Sequence, residues 1–196
     1  MDLSIGIKTT GKKARNLNLS LDSIHNILIT GVTGSGKSFL LHQIIKRLSE
    51  NNTPDEICFI LVDPKRVEFS EYNISPYLYC PVIYDSEECL HVLEDIAGLA
   101  KKRFMGNIPA DKAIVILIDE CDPVYQDPSR FNKVWRDLYK YKEKSNVYIA
   151  FSSSRAGHEV FSPNLINHSN LKIACKPAKM FVSYKEFFGK DAVAIE

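Results

Sequence analysis

A glycine-rich segment, residues 31–38, has the residue types and the spacing that bind phosphate. Its sequence, GVTGSGKS, fits the pattern G-x-x-x-x-G-K-[ST] and lies between an apolar run and an amphipathic one. The glycines let successive backbone N–H groups point at one phosphate, and a following helix adds its partial positive charge. We therefore predict an ATP site here. Its nucleotide-binding residues would be Gly31, Thr33, Gly34, Ser35, Gly36, Lys37, Ser38 and Phe39.

Two adjacent carboxylates follow the most apolar run of the chain, AIVILI at residues 113–118. Asp119 is predicted to hold Mg²⁺ together with the hydroxyl of Ser38, while Lys37 neutralises the β- and γ-phosphates. Glu120 is predicted to orient or deprotonate the attacking water. A glutamate at this point favours hydrolysis, because a kinase must protect its γ-phosphate from water. The predicted catalytic residues are therefore Lys37, Asp119 and Glu120.

Three serines, residues 152–154, follow the apolar run at residues 147–151, and Arg155 comes directly after them. One of these serines is a candidate to sense the γ-phosphate through a hydrogen bond, and Ser153 and Ser154 are the sensor candidates. Polar residues also end strands and begin turns for purely local reasons. The serine run by itself therefore leaves both interpretations open.

A charged turn, Asp63-Pro64-Lys65-Arg66, follows the apolar run at residues 56–62. Proline at the second position is typical of a tight turn, and the charged side chains around it are ordinarily solvated. The residue chemistry of this segment alone therefore assigns it no function.

The order of apolar and amphipathic segments predicts the elements that hold these residues. Short apolar runs alternate with longer runs of helical periodicity, which is the pattern of βα units around a parallel sheet. We predict an α/β fold with three αβα layers and a mostly parallel sheet, with residues 113–118 as its central strand. Asp85 is predicted to cap a helix, with Glu88 completing a capping box. The predicted strands are residues 25–30, 56–62, 81–84, 113–118, 147–151 and 171–175, and the predicted helices are 38–50, 86–104 and 129–144.

Length and composition indicate a single domain, residues 1–196, with a basic lead at 1–24 and a core at 25–196. The net charge of +1 excludes a strong overall field for nucleic acid, so any DNA contact must come from local basic clusters. The five cysteines form no C-x-x-C pair and are expected to be reduced thiols. Because no apolar run could span a bilayer and no signal-peptide pattern is present, we expect a cytoplasmic protein without a membrane anchor.

With these motifs in order, the sequence resembles the motor domain of the FtsK/SpoIIIE family of DNA translocases. The stretches HNILITGVTGSGKS and IVILIDE are similar to the family's phosphate-binding and Walker B segments. FILVDPKRVEFSEY is similar to its second-strand signature and is the most specific part, since phosphate loops occur in many unrelated enzymes. YIAFSSSR is similar to its sensor strand, and VFSPNLINHSNLKIACK to the helix and strand that follow. The resemblance extends over nearly the whole chain.

The resemblance implies a RecA-like fold and a homo-oligomeric ring, a pentamer or a hexamer, with ATP at the subunit interfaces and double-stranded DNA in the pore. Lys65 and Arg66 become candidate DNA contacts, because a translocase needs only phosphate contacts. Ser154 stands where the family usually has glutamine, and Glu143 where it commonly has arginine. The arginine that acts on a neighbouring subunit's ATP therefore has no positional counterpart. The substitutes to test are Arg136, Lys142, Lys144 and Arg155.

The sequence begins with methionine and shows neither membrane spans nor a DNA-reading winged helix, so we expect a minimal motor. Such a motor suits the packaging or transfer of a phage or plasmid genome in the cytoplasm of a bacterial or phage-infected cell. A portal or a membrane channel would be its partner. A protein-secretion ATPase of the same fold stays open as an alternative. A nucleotide kinase is disfavoured by Glu120, and a non-hydrolysing scaffold by the intact Lys37, Ser38, Asp119 and Glu120.

Overall fold

The computed structural model describes residues 2–7, 15–20, 25–120, 122, 126–154, 163–175 and 193–195. From residue 26 to residue 175, strands alternate with helical segments as the sequence predicts. The strands are β1 Asp2–Ile7, β2 Arg15–Ser20, β3 Asn26–Thr30, β4 Ile57–Val62, β5 Ala113–Ile118, β6 Val147–Ser153, β7 Leu171–Cys175 and β8 Val193–Ile195. The helices are α1 Lys37–Asn51, α2 Ser86–Phe104, α3 Pro128–Lys140, α4 Lys142–Ser145 and α5 Pro163–Asn167, with a 3₁₀ helix at Ser70–Ile74. Among the described residues, no helix is long and apolar enough to cross a membrane.

A six-stranded sheet in the order β4-β5-β6-β3-β7-β8 forms the middle layer, and all of its strand pairs are parallel. Every residue of β3, β4, β5 and β6 is buried, because helices cover both faces of the sheet. The apolar face of α1 packs on one side, and those of α2 and α3 pack on the other. The predicted three-layer α/β fold is therefore confirmed.

The prediction that residues 113–118 form the central strand is wrong in detail. β5 is an interior strand between β4 and β6, and the middle of the sheet is occupied by β6 and β3. All four of these strands are covered on both faces, so their hydrophobicity is similar and cannot rank them by position. β6 separates the strand before the phosphate loop from the strand before the acidic pair.

Two predicted elements differ from the structure. Residues 81–84 form no strand, and their one ladder contact is an isolated bridge between Ile83 and Val62. The predicted helix 129–144 is interrupted at Tyr141, so that α3 and α4 are separate, and Asn146 with φ of 53° ends α4 in the left-handed region. Asp85 caps α2 as predicted, because its carboxylate accepts hydrogen bonds from the N–H groups of Glu87 and Glu88.

The basic lead at 1–24, for which we predict no strands, contains a two-stranded antiparallel sheet. β1 and β2 pair from Asp2 with Ser20 to Ile7 with Arg15. The sequence carries a signal for it, since apolar residues alternate with polar ones or glycine in LSIGI and in NLNL. The composition of the segment, with its several basic residues, does not indicate strands, because only the order of its residues shows the alternation.

Candidate functional site

The phosphate loop connects β3 to α1 at the carboxyl end of the parallel sheet. Gly34 and Gly36 have φ values of 76° and 98°, a region that glycine adopts without steric cost. α1 begins at Lys37, so the loop delivers the N-terminus of a fifteen-residue helix to the site. A cavity of about 440 Å³ opens beside it. The cavity is lined by Thr33, Gly34, Gly36, Lys37, Ser38, Phe39, Lys65, Val67, Glu68, Asp119 and Glu120.

Six of the predicted nucleotide-binding residues line this cavity, and the other two, Gly31 and Ser35, are buried and do not line it. Lys37 shows how the loop is held. Its side chain is only 4% exposed, and its Nζ donates a hydrogen bond to the carbonyl oxygen of Gly31 at 2.9 Å. The same Nζ lies 3.3 Å from Glu120 Oε1. Lys37 therefore holds its charge at the cavity between the loop backbone and the acidic pair.

The predicted Mg²⁺ residues, Ser38 and Asp119, lie next to each other. The Ser38 hydroxyl is 3.2 and 3.3 Å from the two carboxylate oxygens of Asp119. Hard oxygen donors of this kind, one hydroxyl and one carboxylate facing a phosphate loop, fit Mg²⁺, which takes its other ligands from water and phosphate. Burial raises the pKa of Asp119, while hydrogen bonds from Ser152 and Ser38 oppose that rise. A cation at this point would relieve the cost of burying the carboxylate.

Glu120 is held at both ends of its carboxylate. Oε2 accepts a hydrogen bond from the backbone N–H of Ser154 at 3.0 Å, while Oε1 contacts Lys37 and, at 3.7 Å, Lys65. Burial alone would raise the pKa of Glu120, but the Ser154 hydrogen bonds and the charges of Lys37 and Lys65 lower it overall. These partners hold the carboxylate beside the phosphate loop, where it can orient a water by accepting its hydrogen bond.

The backbone of Glu120 is also unusual, with φ of 54° in the left-handed region. This conformation is costly for a residue with a long side chain and is found mostly where surrounding contacts enforce it. Here the backbone N–H of Glu120 donates to Ser152 Oγ at 3.0 Å. The turn directly after β5 therefore directs the Glu120 side chain toward the cavity.

Ser152 has a role that the sequence analysis did not assign. Its hydroxyl is fully buried, donates to Asp119 Oδ1 at 2.7 Å and accepts from the N–H of Glu120. Of the two predicted sensors, Ser153 donates its hydroxyl hydrogen bond to Asp122, and Ser154 uses its backbone N–H to bind Glu120. Successive strand residues point to opposite faces, so Ser152 and Ser153 cannot both face the acidic pair. Whether either predicted sensor contacts a γ-phosphate stays a prediction.

The charged turn after β4 is built around Asp63, which is buried. Asp63 Oδ2 accepts hydrogen bonds from the N–H groups of Glu68 and Phe69, at 2.8 and 3.0 Å. The two predicted DNA contacts in this turn point to different places. Lys65 lines the cavity beside the phosphate loop, whereas the Arg66 guanidinium lies over the Tyr84 ring, 5.0 Å from its centroid. Contact of either residue with DNA stays a prediction.

Three of the basic residues proposed to act on a neighbouring subunit, Arg136, Lys142 and Lys144, are described, and none of them lines this cavity. Lys142 and Lys144 precede β6 and line a second cavity of about 270 Å³ at the opposite, amino end of that strand. Arg136 is on α3, and Arg155 lies outside the described residues. The cavity beside the phosphate loop is therefore not reached by these three residues within their own chain. Action on a neighbouring subunit stays a prediction for all four.

A parallel sheet with a phosphate loop after β3 and an acidic pair after β5 defines a RecA-like P-loop nucleotide-binding fold. The FtsK/SpoIIIE family model matches residues 4–116, which is more than half of the chain. The chain therefore belongs to the FtsK/SpoIIIE family. The matched range contains the phosphate loop and the charged turn and ends before Asp119, so the likeness of later stretches is not part of that match.

Curated relatives in this family are DNA translocases. The chain is 37% identical over 84 residues to the DNA translocase FtsK of Helicobacter pylori, covering 43% of this chain and 10% of that protein. It is 32% identical over 104 residues to FtsK of Staphylococcus epidermidis, covering 53% of this chain and 13% of that protein. The aligned part is thus a small fraction of each translocase.

Solved structures share the fold at low sequence identity. The pCW3 conjugation coupling protein TcpA, solved with ATPγS, superposes with a TM-score of 0.71 at 19% identity, covering 93% of this chain and 56% of that chain. Thermomonospora curvata EccC, in complex with a signal sequence peptide, gives 0.70 at 18% identity, covering 85% and 31%. The genome packaging NTPase B204 of Sulfolobus turreted icosahedral virus 2 gives 0.59 at 17% identity, covering 87% and 84%.

Proposed function

We propose that this chain is an ATP-hydrolysing motor that translocates double-stranded DNA. One observation carries the proposal of hydrolysis. Glu120 is buried at the phosphate loop, and the Ser154 N–H and two lysines hold its carboxylate at the cavity. A nucleotide-binding site that served only for binding would not need a carboxylate there, since it repels phosphate. Family membership supports DNA as the cargo.

In the proposed mechanism, the N–H groups of the phosphate loop bind the β-phosphate. The Lys37 ammonium group leaves the Gly31 carbonyl oxygen and Glu120 and moves to the β- and γ-phosphates. Ser38 and Asp119 would hold Mg²⁺, which when bound neutralises charge on the phosphate oxygens. Glu120 Oε1 then faces the attacking water and accepts its proton, while the oxygen of that water forms the new bond to the γ-phosphorus. The bond between the γ-phosphorus and the oxygen that bridges it to the β-phosphate breaks, and ADP and inorganic phosphate leave as products. Glu120 then returns its proton to the phosphate or to solvent.

DNA handling is proposed to require a homo-oligomeric ring, a pentamer or a hexamer, with DNA in its pore. The net charge of +1 provides no general attraction, so phosphate contacts would come from basic residues that the ring brings together. One of Arg136, Lys142, Lys144 and Arg155 would reach the ATP of the neighbouring subunit. Measuring the mass of the protein with a nonhydrolysable nucleotide tests the ring, and a strict monomer at high concentration contradicts it.

The setting we propose is the packaging or transfer of a phage or plasmid genome in the bacterial cytoplasm, with a portal or membrane channel as the loading partner. The structural likeness to a conjugation coupling protein and to a genome packaging NTPase supports this setting through the shared fold. Secretion of protein is the second candidate function, because EccC bound to a signal sequence peptide has the same fold.

Steady-state ATPase activity with and without double-stranded DNA tests the proposed function and separates its two candidates. We expect DNA to stimulate turnover by the wild-type protein, and Lys37→Ala to abolish turnover under both conditions. If DNA of any length leaves wild-type turnover unchanged, translocation of DNA is contradicted. Stimulation by an unfolded polypeptide in place of DNA would favour the secretion candidate.

The Ser152→Ala substitution is expected to slow ATP hydrolysis by about tenfold to a hundredfold, since a hydrogen bond to a charged group contributes about 1.5–3 kcal/mol. The substitution removes the bond to Asp119 and the acceptor for the Glu120 N–H at once. Ser169→Ala is the matched control, because Ser169 is a buried serine whose hydroxyl donates to the Leu165 carbonyl oxygen and which does not line the cavity. Turnover by Ser152→Ala at the rate of Ser169→Ala and of wild type, measured with saturating ATP, would show that Ser152 does not position the acidic pair.

A further inference from the structure

The charged turn after β4 places Lys65, one of its two basic residues, at the cavity beside the phosphate loop. The Asp63 carboxylate, buried under the turn, binds the N–H groups of Glu68 and Phe69 and thereby holds both ends of the intervening segment. Arg66 has φ of 58°, and its N–H donates to Asp63 O. The turn is therefore tight, and the side chains of Lys65 and Arg66 point in different directions from it.

The ammonium group of Lys65 lies at the same carboxylate oxygen as that of Lys37. Lys65 Nζ is 3.7 Å and Lys37 Nζ is 3.3 Å from Glu120 Oε1. Lys37 belongs to the phosphate loop and Lys65 to the turn after β4, and both line the cavity. Two positive charges therefore flank one negative charge at the end of the cavity where Glu120 would face the γ-phosphate.

The charge balance of the cavity changes when a nucleotide enters. Lys37 is the lysine of the loop motif and would move to the β- and γ-phosphates. Lys65 would then be the lysine that stays beside Glu120. The other carboxylates on the wall, Asp119 and Glu68, repel phosphate. ATP carries a terminal phosphate that ADP lacks, and the Lys65 side chain is 54% exposed on a long flexible stem, so it can reach that phosphate.

We infer that Lys65 binds the terminal phosphate of ATP and so makes the site prefer the triphosphate to the diphosphate. This inference rests on the proposed function, because it requires that the cavity binds ATP. It gives the DPKR turn a role in sensing the nucleotide and assigns Lys65 to ATP rather than to DNA. Arg66, whose guanidinium lies over Tyr84, is not part of this contact.

The test is to measure the dissociation constants of ATPγS and ADP, with Mg²⁺, for wild type and for Lys65→Met, Lys65→Arg and Lys46→Met. We expect Lys65→Met to weaken ATPγS binding by about tenfold, as for one lost charge-assisted contact, and to change ADP binding by less than about twofold. Lys65→Arg should restore most of the preference. Lys46 is an exposed lysine on α1 away from the cavity, so Lys46→Met controls for loss of a positive charge.

The outcomes separate the inference from the proposed function. If wild type binds both nucleotides and Lys65→Met keeps the wild-type ratio of the two dissociation constants, the inference is wrong and the ATP site stands. Loss of double-stranded DNA affinity by Lys65→Met without a change in that ratio would assign Lys65 to DNA instead. If wild type binds neither nucleotide, the proposed function fails, and the inference fails with it.

Discussion

Glu120→Gln is expected to retain ATP binding and to hydrolyse ATP at least about a hundredfold more slowly than wild type, as when a positioned general base is lost. Glutamine keeps the size of the side chain and its acceptor for the Ser154 N–H, but it cannot take a proton from water. It also removes the negative charge between Lys37 and Lys65, so ATP affinity should rise slightly. Single-turnover hydrolysis and ATPγS binding, measured on the same preparation, check both parts.

Glu71→Gln is the matched control for this experiment. Glu71 is a largely exposed carboxylate beside His42 and does not line the nucleotide cavity, so its loss should leave turnover unchanged. Lys37→Ala is the contrasting variant and should lose nucleotide binding itself. Turnover by Glu120→Gln at the wild-type rate would remove Glu120 from the mechanism and, with it, the observation on which hydrolysis is proposed.

Gly31→Ala is expected to abolish nucleotide binding and to lower the free energy of unfolding by about 1–3 kcal/mol, the cost of overpacking a filled site. A Cβ on Gly31 would lie 2.5 Å from the backbone oxygen of Cys175 and would also clash with Ser35 Oγ. A backbone atom of β7 cannot move aside, so the phosphate loop must shift instead. That shift would also displace the Gly31 carbonyl, to which Lys37 donates. Chemical denaturation and ATPγS titration measure the two effects.

Gly98→Ala makes the same chemical change as Gly31→Ala, but it is expected to raise the free energy of unfolding. Gly98 lies inside α2, and a Cβ there would meet no atom within 4 Å. Alanine in a helix interior is favoured over glycine by about 0.5–1 kcal/mol, so this variant should be more stable than wild type and should bind ATPγS equally well. If Gly31→Ala behaved like Gly98→Ala, close packing of the loop against β7 would not constrain the nucleotide site.

The chemistry of the site could be predicted from the sequence because its main parts are local motifs. The loop at residues 31–38 needs only its glycines and the helix that follows, and both are encoded within a few neighbouring residues. The acidic pair is identified by the apolar strand directly before it. The helix and strand periods similarly predicted α1, α2, β4 and β5 close to their observed bounds.

Contacts between segments far apart in the chain required the tertiary structure. Ser152 reaches Asp119 because β6 lies next to β5, and the equal burial of the interior strands concealed that order. The break between α3 and α4 at Tyr141 depends on a local turn, and the isolated bridge at Ile83 depends on the neighbouring strand β4. Hydrophobic periodicity predicts neither feature.

The sequence by itself predicted a phosphate-binding loop at residues 31–38 and a carboxylate pair directly after a buried strand. Only the tertiary structure decided which charges meet there. It placed Lys65 on the Glu120 carboxylate and Arg66 on the Tyr84 ring, although the two residues are adjacent in the chain. The physical reason is that residue types and spacing encode local geometry, whereas electrostatic partners are selected by the packing of strands distant in sequence.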